Sequence, residues 1–153
     1  EYFVKAVNIL ITEKDEIIKN LQMIRQALCD NADLIKQKEE LQKEIGITVD
    51  LTQSIVAENA RRVQNQDEYN KRYNRLGERY DKLKGKYDEI CSTIDSNEIR
   101  YKDMGRFINT LITQNGIISE FDENLWSSLV DHIVVKSKTD ITVIFKNGTE
   151  IKI

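Results

Sequence analysis

A 3.5-residue repeat of mostly apolar residues runs without interruption from Tyr69 to Leu111. A 4-3 spacing sustained over about six heptads is typical of a left-handed coiled coil. Its members are Tyr69, Tyr73, Leu76, Tyr80, Leu83, Tyr87, Ile90, Ile94, Asn97, Tyr101, Met104, Ile108 and Leu111. The chain also contains no proline, the residue that most strongly interrupts helices. We therefore expect a mainly α-helical protein.

Two further helices are expected before this repeat. Apolar residues at 3-4 spacing predict an amphipathic helix over about residues 3–28, with Lys14 at its one polar core position. A weaker apolar stripe predicts a second helix over about residues 31–64 that continues through Gly46. Beyond that glycine the expected stripe consists of Val49, Val56, Ala60 and Val63, with Leu51 and Ile55 beside it.

A short polar break separates two helices, over about residues 31–64 and 67–111, and residues 67–103 of the second form the arm that matches the first in length. Arms of similar length about a short break predict an antiparallel coiled-coil hairpin, whose paired stretch is about 50 Å long at 1.5 Å per residue. The expected tip lies near residues 64–67. A tip at residues 46–48, beside Gly46, is the alternative.

Two helix starts can be recognised from local chemistry. Asn65, followed three residues later by Glu68, matches the capping box and marks the start of the second arm. Asp122 is an expected N-cap as well, and Phe121 and Trp126 flank it at the positions of a hydrophobic staple.

The heptads end near Gly116, and residues 116–153 have a different pattern. A short helix to about Asp131 is followed by β-branched runs that predict a three-stranded antiparallel meander. The expected strands are 133–136, 141–145 and 149–153. Asn147-Gly148 predicts a type I′ turn between the last two strands. The sequence thus divides into a helical region, 1–115, and a helix-plus-sheet element, 116–153.

Residues suited to catalysis or metal binding are scarce. Cys29 and Cys91 are too few and too far apart for a zinc site or a disulfide framework, and His132 is the only histidine. Neither a phosphate-binding glycine-rich loop nor a nucleophile elbow is present. No apolar run reaches the length of a membrane span. From its residues the chain is expected to be an interaction module without enzymatic activity, cofactor or membrane contact.

Three stretches resemble the large serine recombinases of the resolvase/invertase superfamily, the site-specific integrases and transposases of phages and conjugative elements. The most specific stretch runs from Glu120 to Val130 and continues in 133–135 and 145–151. The middle stretch comprises 58–62, 66–69, Arg72, Tyr73, Leu76, Arg79, Tyr80 and Leu83, and the first is Ala6, Val7 and Asn8.

The resemblance implies a bacterial cytoplasmic parent with a serine catalytic domain, a recombinase domain and a DNA-binding zinc ribbon. This chain would be the coiled coil inserted into the ribbon, together with the helix and strands that complete that domain. No catalytic or metal residue is carried over, and the zinc ligands are expected upstream of Glu1. The implied partners are other recombinase protomers, contacted through the coiled coil during synapsis, and DNA, bound by the full-length protein.

The charge distribution, taken together with this resemblance, indicates candidate contact residues. Residues 61–87 carry nine basic and four acidic residues, net +5, in a chain whose net charge is −3. We expect the tip to contact another protomer through Arg61, Arg62, Gln64, Gln66 and Tyr69. The resemblance places three lysines of the terminal strands near DNA: Lys136, Lys138 and Lys146. A basic stretch that lies along DNA phosphates, a stand-alone DNA-binding module, and a dimerisation coiled coil of an unrelated scaffold protein remain alternatives.

Overall fold

A computed structural model describes residues 1–62, 65–137 and 140–153. In chain order the elements are α1 (Tyr2–Thr12), α2 (Lys14–Cys29), α3 (Ala32–Arg61), α4 (Gln66–Thr113), α5 (Glu123–Leu129), β1 (Val130–Ser137), β2 (Asp140–Phe145) and β3 (Glu150–Lys152). The expected mainly α fold with a small terminal antiparallel sheet is confirmed.

The chain forms two compact units, and α4 contributes to both. One unit contains Glu1–Cys29 and Asn97–Ile153, and the other contains Asp30–Ser96. This division differs from the expected boundary at residue 115. The reason is that α1, α2 and the end of α4 share a core with the terminal helix and sheet.

The Asp30–Ser96 unit is an antiparallel two-helix coiled coil of α3 and the first part of α4. Three cross-helix pairs show the direction, because the partner number on α3 falls as the number on α4 rises. Arg72 pairs with Glu58, Arg79 with Glu44, and the Lys38 ammonium lies 5.8 Å from the Tyr87 ring centroid. Gly46 lies within α3, so the alternative tip at 46–48 is wrong.

The two helices differ in how well the sequence predicted their packed faces. In α4 the expected 4-3 positions are, with few exceptions, less exposed than their neighbours. In α3 the least exposed residues are Leu34, Lys38, Leu41, Ile45, Thr48, Thr52, Ile55 and Asn59, with Val49 beside them.

The expected continuation of the α3 stripe is therefore wrong beyond Ile45. Val56 is 44% exposed and Ala60 is exposed, whereas Thr48 is fully buried. A 3.5-residue period kept from Leu34 onward brings the threonines into the seam, and the valines fall on its flank. The Thr48 and Thr52 hydroxyls each donate to the carbonyl four residues earlier, at 2.8 Å, so their burial leaves no donor unpaired. Val63 lies outside the described residues.

The other unit is built around one apolar core that joins α1, α2, the end of α4, α5 and the sheet. Its most deeply buried side chains include Val7, Leu10, Leu111, Leu129, Val143 and Phe145. The Asn8 side chain joins α1 to the segment that follows α4, through two hydrogen bonds to the backbone of Ile118.

The expected single helix over 3–28 is interrupted at Glu13, where φ is −96° and ψ is 9°. The two halves pack on different partners. α1 lies on the sheet, whereas α2 places Arg25 against Tyr101 of α4. The break also changes which residues face inward, because Ile24 is 45% exposed while Arg25 is half-buried.

The start of α5 agrees with the expected cap. Asp122 Oδ1 accepts hydrogen bonds from the backbone N–H groups of Asn124 and Leu125, at 2.8 and 3.0 Å. The rings of Phe121 and Trp126 lie 6.0 Å apart, as a hydrophobic staple requires. The helix ends at Leu129, and the strand begins directly at Val130.

The sheet has the strand order β1-β2-β3, with both neighbouring pairs antiparallel. The hairpin at Asn147-Gly148 forms, but its expected type I′ turn is wrong, since no non-glycine residue in the described ranges has a positive φ. Phe145 O accepts from the Gly148 N–H, and Phe145 N–H donates to Thr149 O. With Gly148 at φ 86°, this is a three-residue loop of type I with a glycine bulge.

Across the described ranges, no helix is both long enough and apolar enough to cross a membrane.

Candidate functional site

The closed end of the coiled coil is formed by the last turn of α3 and the first turn of α4. α3 ends at Arg61, and Arg62 leaves it with an extended backbone, at φ −133° and ψ 144°. On the other side Asn65 caps α4, because its Oδ1 accepts from the N–H groups of Asp67 and Glu68, at 3.0 and 3.3 Å. The expected cap is thus confirmed, and the chain reverses between Arg61 and Gln66.

A side-chain bridge holds the two helices together at this end. Gln66 Nε2 donates to Asn59 Oδ1 at 3.2 Å, and Asn59 is itself a seam residue of α3. One turn further along α4, the Tyr69 and Tyr73 rings lie 6.0 Å apart, and Tyr73 is 45% exposed. The seam at the tip is therefore polar and aromatic, so the tip offers hydrogen-bonding groups and ring surface together.

Four of the five expected tip residues lie near this end. Arg61 and Arg62 are exposed and line a shallow cavity of about 440 Å³ with Ser54, Ala57 and Glu58. Gln66 and Tyr69 belong to the first turn of α4. Gln64, the fifth, lies outside the described residues.

The basic stretch is not a uniformly positive surface. Carboxylates of α3 lie beside the cations of α4: Glu58 lies 3.9 Å from Arg72, and Glu44 lies 3.7 Å from Arg79. Glu40, Glu44 and Glu89 share a second surface depression with Lys86. The net +5 of residues 61–87 is thus largely offset by acidic residues that the sequence map assigned to other segments.

The Lys84 and Asp88 side chains form an ion pair on the surface of α4. The hydrogen bond from Lys84 to the Asp88 carboxylate, one turn along α4, raises the pKa of that lysine above its usual range. Both side chains are exposed, so the pair serves as an ordinary surface contact of the helix.

Of the three lysines expected near DNA, the two in the described ranges, Lys136 and Lys146, lie apart. Lys136 is exposed near the end of β1, beside the start of β2. Lys146 follows the other end of β2, about 17 Å away at 3.4 Å per residue. Its backbone N–H donates to Leu129 O at 2.9 Å, and its ammonium donates to Ser127 O, so it holds the C-terminal end of α5. Lys138 lies outside the described residues.

A cleft that the sequence did not indicate lies in the unit containing both termini. Its volume is about 770 Å³, and it separates the end of α4 from the corner formed by α5 and the β2–β3 turn. The α4 wall carries Arg100, Asp103, Met104, Arg106, Phe107 and Thr110, and the opposite wall carries Ser127, Ser128, Asp131, Lys146, Asn147 and Gly148. No local motif could reveal it, because its walls come from separate parts of the chain.

Histidine, cysteine and carboxylate side chains do not assemble into a cluster of three or more able to hold a metal ion anywhere in residues 1–62, 65–137 and 140–153. Cys29 and Cys91 are free thiols, and His132 Nδ1 lies 2.9 Å from Asp131 Oδ2 on an exposed surface. Comparison with protein-family models, curated proteins and solved structures found no match.

Proposed function

We propose that this chain is a non-catalytic module of a site-specific serine DNA recombinase, and that its coiled coil controls synapsis of DNA attachment sites by contacting other protomers. The parent protein would be bacterial and cytoplasmic, and it would carry its serine nucleophile and its zinc ligands upstream of Glu1. The proposal begins from the resemblance in the segments around Glu58–Tyr69 and Glu120–Ile151.

The observation that carries the proposal is the construction of the coiled-coil tip. Arg61 and Arg62 are exposed at the end of α3, and the Asn59–Gln66 bridge and the half-exposed Tyr73 belong to the same end of the coiled coil. Arginine and tyrosine are enriched at protein interfaces because they combine contact area with hydrogen bonding. A small surface of this kind favours a weak contact, and a weak contact suits an assembly that must form and dissociate.

The charge pattern of the coiled coil also favours a protein partner over DNA phosphates. A nucleic-acid surface requires cations that are free to replace counterions. Here Arg72 and Arg79 lie within 4 Å of Glu58 and Glu44, and these carboxylates would repel a phosphate backbone. A mixed surface of this kind matches another mixed protein surface more readily than a polyanion.

Charge reversal at the tip tests the proposal in the full-length recombinase. The double variant Arg61→Glu, Arg62→Glu should lower the rate of synapsis by about tenfold or more, the loss typical of removing an interface anchor, while binding to a single attachment site changes by less than about twofold. The matched control is Arg75→Glu with Lys82→Glu, which makes the same charge change along α4. Recombination by the control should stay close to that of the wild type.

Analytical ultracentrifugation gives an independent reading on the chain itself. We expect weak, concentration-dependent self-association that the tip variant abolishes and the control retains. A strict monomer at high concentration, together with unchanged recombination by the tip variant, would refute the tip contact. A band shift with DNA at low salt that disappears near ~0.2 M salt would favour phosphate binding instead.

The upstream sequence of the parent separates the recombinase from an unrelated scaffold protein. We expect a resolvase-like serine domain followed by paired cysteines before Glu1. A parent without either feature would contradict the recombinase assignment and favour a structural dimerisation coiled coil.

A further inference from the structure

We propose that the cleft between the end of α4 and the corner of α5 and the β2–β3 turn binds a phosphate group. The cleft is lined by Arg100 and Arg106 on one wall and by Lys146 on the other, and Met104 and Phe107 contribute apolar surface. Its volume of about 770 Å³ exceeds what a single phosphate needs, so a larger molecule that carries the group also fits. This inference does not depend on the proposed recombinase function.

The carboxylates of the cleft already have partners. Asp103 Oδ1 lies 3.2 Å from Arg106 Nη1, and Asp131 Oδ2 lies 2.9 Å from His132 Nδ1. Arg100 forms no ion pair with any residue in the described ranges. Arg100 and Lys146 are therefore the cations available to an incoming anion.

The hydrogen-bond donors of the cleft also favour a phosphate group as the ligand. The hydroxyls of Thr110 and Ser127 are used, since they donate to the carbonyls of Arg106 and Asn124. The Ser128 hydroxyl makes no hydrogen bond within the described part of the chain. Lys146 uses one donor on Ser127 O, and an ammonium has three.

The β2–β3 turn leaves room for a ligand to approach closely. Gly148 has φ 86°, and an added Cβ would meet no atom within 4 Å there, while its N–H is already donated to Phe145 O, so the turn contributes space and the side chains contribute the donors. A guanidinium, an ammonium and a hydroxyl beside such a turn match the several acceptor oxygens and the charge of a phosphate better than those of a single carboxylate.

Amide NMR titrations of the 153-residue chain test the proposal with three probes: inorganic phosphate, a short double-stranded DNA of mixed sequence, and acetate at equal ionic strength. We expect phosphate, DNA or both to shift the amides of Ser127, Ser128 and Gly148 in a saturable way, and acetate to have no such effect. Saturation by phosphate alone identifies a free phosphate or a small phosphorylated molecule as the ligand class. Saturation by DNA that phosphate reverses identifies the nucleic-acid backbone.

Variants locate the site within the chain. Arg100→Gln should weaken binding about tenfold, the range for a charge-assisted hydrogen bond. Arg75→Gln, an equal charge change at an exposed position of the same helix, should leave it within about twofold, because a screened distant charge contributes little. Lys146→Arg should retain binding, whereas Lys146→Gln should lower it. Lys146 also holds the end of α5. If the amide spectrum of the Lys146→Gln chain loses its dispersion, the Arg100→Gln result alone tests the site.

Three results would overturn the site: no saturable shift with either phosphate or DNA, an equal response to acetate, or equal weakening by the Arg75 and Arg100 variants. None of them bears on the tip, which is tested by synapsis and self-association.

Discussion

The side-chain amide of Asn8 is hydrogen-bonded in both directions to the backbone of Ile118. Asn8 Nδ2 donates to Ile118 O at 2.9 Å, and Asn8 Oδ1 accepts from Ile118 N–H at 2.8 Å. A residue of α1 thereby fixes the irregular segment between α4 and α5, where the backbone cannot satisfy itself. Together with the contacts of Phe3 with Phe121 and Trp126, this side chain ties α1 to the segment that leads into α5.

Replacing Asn8 by alanine should lower the free energy of unfolding by about 1–3 kcal/mol, because both backbone groups of Ile118 lose their partner in a half-buried place. Urea unfolding of the chain measures the loss. Asn20→Ala removes an exposed asparagine of α2 and should change stability by less than about 0.7 kcal/mol, the span of helix propensity. Equal effects of the two variants would contradict the role of the Asn8–Ile118 pair.

A buried threonine of the coiled coil offers a stabilising change. Thr48→Val replaces the hydroxyl with a methyl group inside the seam. It should raise stability by about 0.5–1 kcal/mol, because a methyl gains from burial and the Glu44 carbonyl keeps its helical hydrogen bond.

Thr93 is the matched control for this change. Its hydroxyl makes the same bond to the carbonyl four residues earlier, at 2.9 Å, but the residue is exposed. Thr93→Val should therefore leave stability within about 0.5 kcal/mol of the wild type. Thermal unfolding followed by circular dichroism compares the two. A destabilised Thr48→Val chain would show that the hydroxyl is required in the seam.

Arg25, Tyr101 and Gly105 form a contact that a double-mutant cycle can measure. The Arg25 guanidinium lies 4.0 Å from the Tyr101 ring centroid, and its Nε donates to Tyr101 O at 3.1 Å. A Cβ on Gly105 would come within 2.8 Å of Arg25 Nη2. Gly105→Ala should therefore stabilise the chain by about 1 kcal/mol when Arg25 is alanine, and by distinctly less when Arg25 is present.

Gly85 provides the control for this cycle, since an added Cβ meets nothing within 4 Å there. Gly85→Ala should stabilise the chain by about 1 kcal/mol in both backgrounds. If Gly105→Ala changes the free energy of unfolding equally with and without Arg25, the close approach of Arg25 to Gly105 does not affect stability.

Substitution of Gly148 in the last hairpin should destabilise the chain, whereas alanine at Gly85 or Gly105 should stabilise it. Gly148→Ala is expected to cost about 1–2 kcal/mol, because alanine is strained at φ 86°. Gly148→Asn should cost less, since asparagine tolerates this conformation better than alanine. Chemical denaturation of both variants measures the difference, and equal stability of all three chains would refute the bulged turn.

Much of the helical organisation was determined by the sequence itself. The 4-3 repeat from Tyr69 to Leu111 located the packed face of α4, because a helix in a coiled coil repeats its environment every 3.5 residues. The caps at Asn65 and Asp122 were equally local, since an N-cap bonds to N–H groups only two or three residues away. Such features depend on neighbouring residues alone.

Long-range packing decided the rest. The helix break at Glu13 arises where α1 and α2 pack on different partners; neither proline nor glycine occurs there to predict it, and the polar Lys14 alone did not. In α3, the threonines entered the seam in place of more apolar residues such as Val56, because the period shared with α4 outweighs side-chain preference. At Asn147 the hairpin adopted a bulged loop in place of the two-residue turn that the dipeptide favours.

The candidate sites also differ in whether local sequence or long-range packing determines them. The tip could be anticipated, since Arg61 and Gln66 are near neighbours in the chain. The acidic partners of the α4 cations, the separation of Lys136 from Lys146, and the cleft between Arg100 and Lys146 could not. Each depends on which distant residues the fold brings together, and a one-dimensional charge map contains no such distances.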